Sequence, residues 1–319
     1  MFEEIISIEN LLEAWREFIR GKRYKQDVLE FQMHLMDHIL ELHSDLASRT
    51  YTHGPYEHFK INDPKPRDIH KATVRDRLLH HAIYRVLHPF FAKKFIADSF
   101  SCQVDKGTHR AINRFREFAY QVSKNHTRTA WVLKCDIRKF FASIHHGILQ
   151  KTVMRHIGDP PVLWLLDRVI DSHHPGLPLG NLTSQLLVNI YMNEFDQFVK
   201  HQLKIKHYIR YADDFVILHP DRSYLTVLVQ CIRSFLADHL KLELHPNKLF
   251  IKTFASGVDF LGWVHFPDHR VIRTATKRRI ARRISETNQA SYLGLLQHGN
   301  TQKIQKLLEF YVSCHCFPF

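Results

Sequence analysis

The chain has 319 residues, 45% hydrophobic and 24% charged, which suits one large or two modest domains with an ordinary core. Lys and Arg number 45 against 32 Asp and Glu, and this net charge of +13 points to a polyanionic partner, either nucleic acid or an anionic membrane surface. No apolar run approaches the ~20 residues of a membrane span, and the opening Met1-Phe2-Glu3-Glu4 lacks the features of a secretory leader. Five cysteines at irregular spacing argue against a disulfide framework and for a reducing compartment, so a cytoplasmic setting is expected. Cys314-His315-Cys316 lacks the spacing of a zinc knuckle. The 25 histidines show no recognised ligand spacing, and none is assigned chemistry.

In residues 1–50, Leu11, Leu12, Trp15, Phe18 and Ile19 recur at helical spacing, as do Phe31, Leu35, Ile39 and Leu42. The basic break Gly21-Lys22-Arg23-Tyr24-Lys25 separates the two runs, as a nucleic-acid-facing elbow or as an ordinary solvated loop. Gly54-Pro55 and Pro64-Lys65-Pro66-Arg67 interrupt a loop- and strand-like stretch. A helix opened by Arg75-Asp76-Arg77 follows, with Asp76 suited to its N-terminal dipole. Gly107-Thr108 predicts a turn into another helix.

Trp131–Asp136 reads as a buried strand ending in a carboxylate. Phe141 lies five residues beyond that acid, and either Phe140 or Phe141 also fits a core position. Pro175-Gly176-Leu177-Pro178-Leu179-Gly180 predicts a bend with close backbone approach, ahead of a helix carrying Leu182, Gln185, Leu186 and Tyr191. Tyr208–Leu218 is the most informative stretch, two apolar and aromatic strands around Ala212-Asp213-Asp214. A bare Asp-Asp pair reads as a solvated turn, but at the tip of an apolar hairpin two adjacent carboxylates call for a cation between them. Hard divalent ions such as Mg²⁺ take such oxygen ligands. Residues 222–244 predict a helix ended by His245-Pro246, with Lys248 in the loop beyond. Phe260-Leu261-Gly262-Trp263 follows, and residues 270–283 hold seven basic side chains and no acid.

The Asp136–Ile144 stretch, the Leu179–Gln185 bend, the Tyr-x-Asp-Asp hairpin and Phe260–Trp263 occur in the chain order of polymerase motifs A, B, C and E, and over residues 50–300 the chain resembles the reverse transcriptases. The resemblance implies an α+β right-hand polymerase: an antiparallel-sheet palm, helical fingers and a short helical thumb. The expected boundaries are 1–130 for an N-terminal extension and fingers, 131–269 for the palm with an insertion around 145–185, and 270–319 for the thumb. It further implies RNA-directed DNA synthesis with two Mg²⁺ ions, Mn²⁺ substituting, held by Asp136, Asp213, Asp214 and the Ile137 backbone. Lys65 and Arg67 would reach the triphosphate, and Phe141 would lie under the sugar and exclude a 2′-hydroxyl. Leu179, Gly180 and Gln185 would lie under the templating pair, with Lys248 as general acid for pyrophosphate or a plain surface lysine. Phe260, Leu261, Gly262 and Trp263 would grip the primer, and Arg273, Lys277, Arg278, Arg279 and Arg282 would track phosphates.

The Leu-Gly-x-x-x-Ser-Gln form of motif B resembles the reverse transcriptases of diversity-generating retroelements, in bacteria or phages. That resemblance implies low fidelity at template adenines, and as partners a template RNA, a DNA primer, dNTPs and a pentameric helical accessory protein. Retron, group II intron-like and phage-defence reverse transcriptases remain alternatives, as does a catalytically silent RNA-binding protein. A viral RNA polymerase is disfavoured by Tyr211-Ala212-Asp213-Asp214 in place of Gly-Asp-Asp and by Phe141.

Overall fold

Regular structure begins with helices whose apolar positions repeat every three to four residues. The computed structural model describes residues 1–62 and 66–315. In chain order, α1 (Phe2–Ile6), α2 (Ile8–Phe18), α3 (Gln26–Met33) and α4 (Leu35–Ala47) lead to the strands β1 (Glu57–Ile61) and β2 (Arg67–Lys71), then α5 (Val74–Ala92) and α6 (Thr108–Val122). The strand β3 (Trp131–Asp136) precedes α7 (His146–Met154), α8 (Pro160–Ile170) and α9 (Leu182–Gln197). The strands β4 (Tyr208–Tyr211) and β5 (Asp214–His219) lead into α10 (Arg222–Leu240). The chain continues through β6 (Phe250–Thr253), β7 (Val258–Phe260), β8 (Trp263–His265) and β9 (Arg270–Ile272) to α11 (Thr274–Arg283), α12 (Glu286–Leu296) and α13 (Gln302–His315).

These elements gather into two compact units, each built from three separate stretches of chain. The first holds Met1–Cys102, Ile137–Lys204 and Arg233–Leu244, and the second holds the rest.

In the first unit, α5 is the central helix, burying Leu78, Leu79, Ala82, Ile83, Leu87 and Phe91. Against it lies α2, tied by the Asn10 amide, which donates to the Ala82 carbonyl at 3.2 Å and accepts from Arg85 at 3.0 Å. Thr73 caps α5, its hydroxyl accepting from the Asp76 amide. Asp76 does more than complement the helix dipole. It is buried, and the Tyr51 and Thr73 hydroxyls and the Gly54 amide all donate to it. The sequence spacing anticipates two helices over residues 1–50, whereas four form, because Ser7 with ψ 144° divides the first and His34 with φ −123° divides the second. The hairpin β1–β2 pairs Ile61 with Arg67, and residues 63–65 lie outside the described residues. The helix α9 is buried almost all round. Its Tyr191 hydroxyl donates to the Leu240 carbonyl at 2.6 Å.

The second unit is built on an antiparallel sheet in the order β4-β5-β3-β6. Phe215, Val216, Ile217 and Leu218 of β5 are all buried, so this strand is apolar on both faces. A smaller sheet, β7-β8-β9, is also antiparallel. Phe115 of α6 makes edge and tilted ring contacts with Phe254, Phe260 and His265, joining helix and sheets into one core.

Candidate active site

The carboxylates are positioned by strand pairing. Asp136 closes β3 and Asp214 opens β5, and the two are direct cross-strand partners, so their side chains project from one face of the sheet. Tyr211 pairs with Asp214, which leaves Ala212-Asp213 as a two-residue hairpin loop. Ala212 there has φ +55°, an uncommon conformation for a residue with a Cβ. The buried Arg210 guanidinium braces the tip by donating to the Ala212 carbonyl at 3.1 Å. Asp213 occupies the turn itself, immediately beside Asp214.

Two ammonium groups attend this face. Lys134 Nζ lies 3.2 Å from Asp214 Oδ2 and donates to the Asp259 carbonyl at 2.9 Å. Lys248 Nζ lies 2.7 Å from Asp136 Oδ1. Burial pushes the Asp214 carboxyl up to about 7; Lys134 opposes the rise, and the charges of Asp136 and Asp213 add to it. Asp214 Oδ1 is buried without a hydrogen-bond partner. An orphaned carboxylate oxygen beside two further carboxylates is the donor set a hard divalent cation takes, so these residues fit Mg²⁺.

Lys134 carries a role that the motif reading passes over. The signal for it is simple: it stands two residues before Asp136 in a strand and must share that acid's face. The contact between Lys248 and Asp136 links residues 112 apart in sequence, and no local pattern announces it.

Residues 60–265 match the family described as reverse transcriptase (RNA-dependent DNA polymerase). The chain belongs to the reverse transcriptase family. It is 28% identical to the protein YkfC of Escherichia coli over 281 residues, covering 74% of this chain and 71% of that protein. It is 22% identical to the group II intron-encoded protein LtrA of Lactococcus lactis over 317 residues, covering 76% of this chain but 51% of that protein. Among solved structures it is similar to apo telomerase from Candida tropicalis, with a TM-score of 0.54 at 10% identity over 71% of this chain and 52% of that one. The fold is thus the α+β fold of the reverse transcriptases.

The other residues singled out in this reverse transcriptase are distributed between the units. Ile137 is buried in the first unit and forms an isolated bridge with Leu244. The flanking hydrogen bonds, Arg138 to the Glu243 carbonyl and His245 to the Asp136 carbonyl, make Ile137 a non-hydrogen-bonded position of that bridge. Phe140 is core, while Phe141 is half-buried in a 3-10 turn (Phe140–Ser143). Arg67 opens β2 and is exposed, and Lys65 lies outside the described residues. The Leu179 carbonyl accepts from the His70 amide at 3.1 Å, docking the motif-B bend on β2. Gly180 has φ +123°, and a Cβ there would lie 3.2 Å from Ile69. Gly180 and Gln185 line a cavity of about 430 Å³ with Phe59, Ile69, Lys71 and Arg77.

In the second unit, Phe260 and Trp263 are buried, so their side chains are core rather than a gripping surface. What the β7–β8 hairpin exposes is its turn, Leu261-Gly262, with φ +49° and +89°. Arg273 is also not a free cation: it is ion-paired with Asp259. Along α11, Lys277, Arg278 and Arg282 are exposed and Arg279 is half-buried, while Ile280 anchors the helix.

Proposed function

We propose that this chain extends a DNA primer on an RNA template by nucleotidyl transfer, with Asp136, Asp213 and Asp214 as its metal-holding carboxylates and the Ile137 carbonyl as a further ligand. The observation that carries this reading is the cross-strand pairing of Asp136 with Asp214, whose orphaned oxygen waits beside the Asp213 tip. Two Mg²⁺ ions bound there, with Mn²⁺ able to substitute, would activate the primer 3′-hydroxyl and neutralise charge on the triphosphate and leaving pyrophosphate. The protein's own contribution is positioning. Lys134 holds Asp214 in place, and Arg210 fixes the turn that carries Asp213. Lys248, half-exposed on Asp136, is free to turn towards leaving-group charge.

Phe141 would exclude a ribose 2′-hydroxyl, and Arg67 and Lys65 would take the triphosphate. Leu179, Gly180 and Gln185 would bear on the templating base, and the Leu261-Gly262 turn, with Phe260 and Trp263 as its buried footing, would meet the primer end. Lys277, Arg278, Arg279 and Arg282 would follow backbone phosphates, with Arg273 holding the start of that helix. In domain terms, residues 1–130 would serve as extension and fingers, 131–269 as palm and 270–319 as thumb.

The finer reading is a diversity-generating reverse transcriptase, error-prone at template adenines, acting in a bacterial or phage-infected cytoplasm with a template RNA and a pentameric accessory protein. It is supported by the Leu179–Gln185 form of motif B. A leucine side chain offers no hydrogen bond where a glutamine could, so a mispair meets less polar discrimination. The similarity to a group II intron-encoded protein favours a second reading, a group II intron-type enzyme.

One assay separates these readings: dNTP incorporation on an RNA template with Mg²⁺, wild type against Asp213→Asn, with product sequencing. Loss of activity in the variant and errors concentrated opposite template adenines are the expected results. Evenly spread errors would move the assignment to the intron-type group. Absence of wild-type synthesis, even with cognate RNA and accessory protein, would leave a silent RNA-binding protein.

A further inference from the structure

In the first unit, three side chains converge that the polymerase reading does not use. His146 opens α7, Asp171 follows α8, and His174 lies in the connection to α9. One donor atom from each lies within 4.8 Å of the others. His146 Nδ1 is 3.3 Å from Asp171 Oδ1. Ligands of one tetrahedral ion at about 2.0–2.1 Å stand about 3.3 Å apart, so this pair already has the required separation.

The hydrogen bonds decide what His146 offers. Its Nε2 lies 2.8 Å from the Gly176 carbonyl, which can only accept, so that nitrogen carries the proton. In the neutral ring Nδ1 then presents a lone pair, and it faces a carboxylate oxygen, a second acceptor. Two acceptors at that distance need a positive charge between them, either a metal ion or a second proton on the ring. Ring fixation by a backbone carbonyl is the support that metal-ligating histidines use. Gln150 supplies the same support to the carboxylate, donating to both Asp171 oxygens at 3.4 Å. The His174 ring centroid lies 4.3 Å from that of His146, and this exposed loop residue offers the third donor.

We propose that His146, Asp171 and His174 form a binding site for a borderline divalent transition metal of the zinc type, with water completing the coordination. Two imidazoles and one carboxylate suit Zn²⁺, Co²⁺ or Ni²⁺ and not Mg²⁺. The site has a mechanical consequence. Gly176 has φ +63°, and a Cβ there would lie 2.2 Å from the Phe141 carbonyl oxygen, while the Leu177 amide donates to that same oxygen at 2.9 Å. A metal that joins His174 to His146 therefore clamps the loop that sits directly on the Phe141 backbone.

The test uses the full chain with Cys314→Ser and Cys316→Ser, which removes the thiol pair of the C-terminal Cys-His-Cys. Metal uptake is measured by equilibrium dialysis with Zn²⁺ alone, and ligand type by the absorption of Co²⁺ alone. The expected result is one tight equivalent with nitrogen/oxygen-type cobalt bands, lost or weakened at least tenfold in His174→Ala. Zinc should also slow hydrogen exchange at the Leu177 amide in the parent and not in His174→Ala. His174 is exposed, so this variant keeps the fold; Asp171→Asn provides a second check at a surface position. Equal uptake by the parent and both variants, or no uptake at micromolar zinc, would overturn the proposal and leave an imidazolium–carboxylate pair in its place.

Discussion

Asp214 is where burial and the proposed metal-holding role conflict most directly. Its carboxyl is pushed up to about 7 by burial and by neighbouring acids. A raised carboxyl pKa means that the folded protein holds a proton which the unfolded chain, titrating near 3.9, releases. The stabilising contribution is therefore complete below about pH 4 and is lost as pH rises through about 7. In chelator, urea unfolding of the wild type should weaken relative to Asp214→Asn over that window, by an amount of the order of a few kcal/mol. The same variant should lose polymerase activity by at least ~10³-fold, because charge stabilisation supplies most of the catalysis. A pH-independent difference between the two proteins would show that Asp214 is not buried as described. Added Mg²⁺ should remove the wild type's disadvantage, since a bound cation favours the ionised form.

At the scale of single elements, glycine and histidine positions set the tolerances. Gly176→Ala would drive a Cβ to 2.2 Å from the Phe141 carbonyl, in a left-handed conformation as well. Neither backbone can yield cheaply, so a loss of ~2 kcal/mol or more in chemical denaturation is expected. In β8, burial pulls His265 down to about 4. Here the sign is opposite to that of Asp214: the depressed pKa stabilises above about 6.5, and the contribution is lost as pH falls towards 4. His265→Phe should flatten the acid side of the unfolding profile, and an unchanged profile would exonerate this side chain. Much of the site was legible at this scale. The aromatic and β-branched flanks of Asp213-Asp214 specify a hairpin, and the apolar run before Asp136 specifies a buried strand. Burial of Phe260 and Trp263 was less legible, because an aromatic in a short hairpin reads equally as surface or as core. The pairing of Arg273 with Asp259 and of Lys248 with Asp136 was not legible, because only the folded chain brings those residues together.

Across the whole molecule, a charge of +13 makes polyanion binding the default, and the basic residues of α11 are the surface proposed for it. Lys277, Arg278 and Arg282 are exposed there without an acidic residue in the helix. Replacing Arg278 and Arg282 together by Gln should weaken binding to an RNA–DNA hybrid about equally for all sequences. It should also reduce the slope of log K against log salt by about 1.4–1.8, at about 0.7–0.9 for each phosphate no longer neutralised. Fluorescence anisotropy across a salt series would measure this, and an unchanged slope would place the phosphate-binding surface elsewhere. Charge and composition announced a polyanionic partner without any structure, and left nucleic acid and an anionic membrane surface both open. The interleaving of the two units was hidden, because each draws on stretches far apart in sequence.

The pairing of Asp136 with Asp214 makes chemistry a reporter of folding accuracy. Side chains alternate along a strand, so sliding β5 past β3 by one residue would turn Asp214 to the opposite face and set Phe215 against Asp136. Such a molecule would still own a sheet of nearly the same length and the same hydrophobic composition. Circular dichroism would hardly distinguish it, yet it would have no site. If the paired acids hold the metals as proposed, activity per mole of protein counts the fraction of chains in the correct alignment, a quantity that bulk spectroscopy misses.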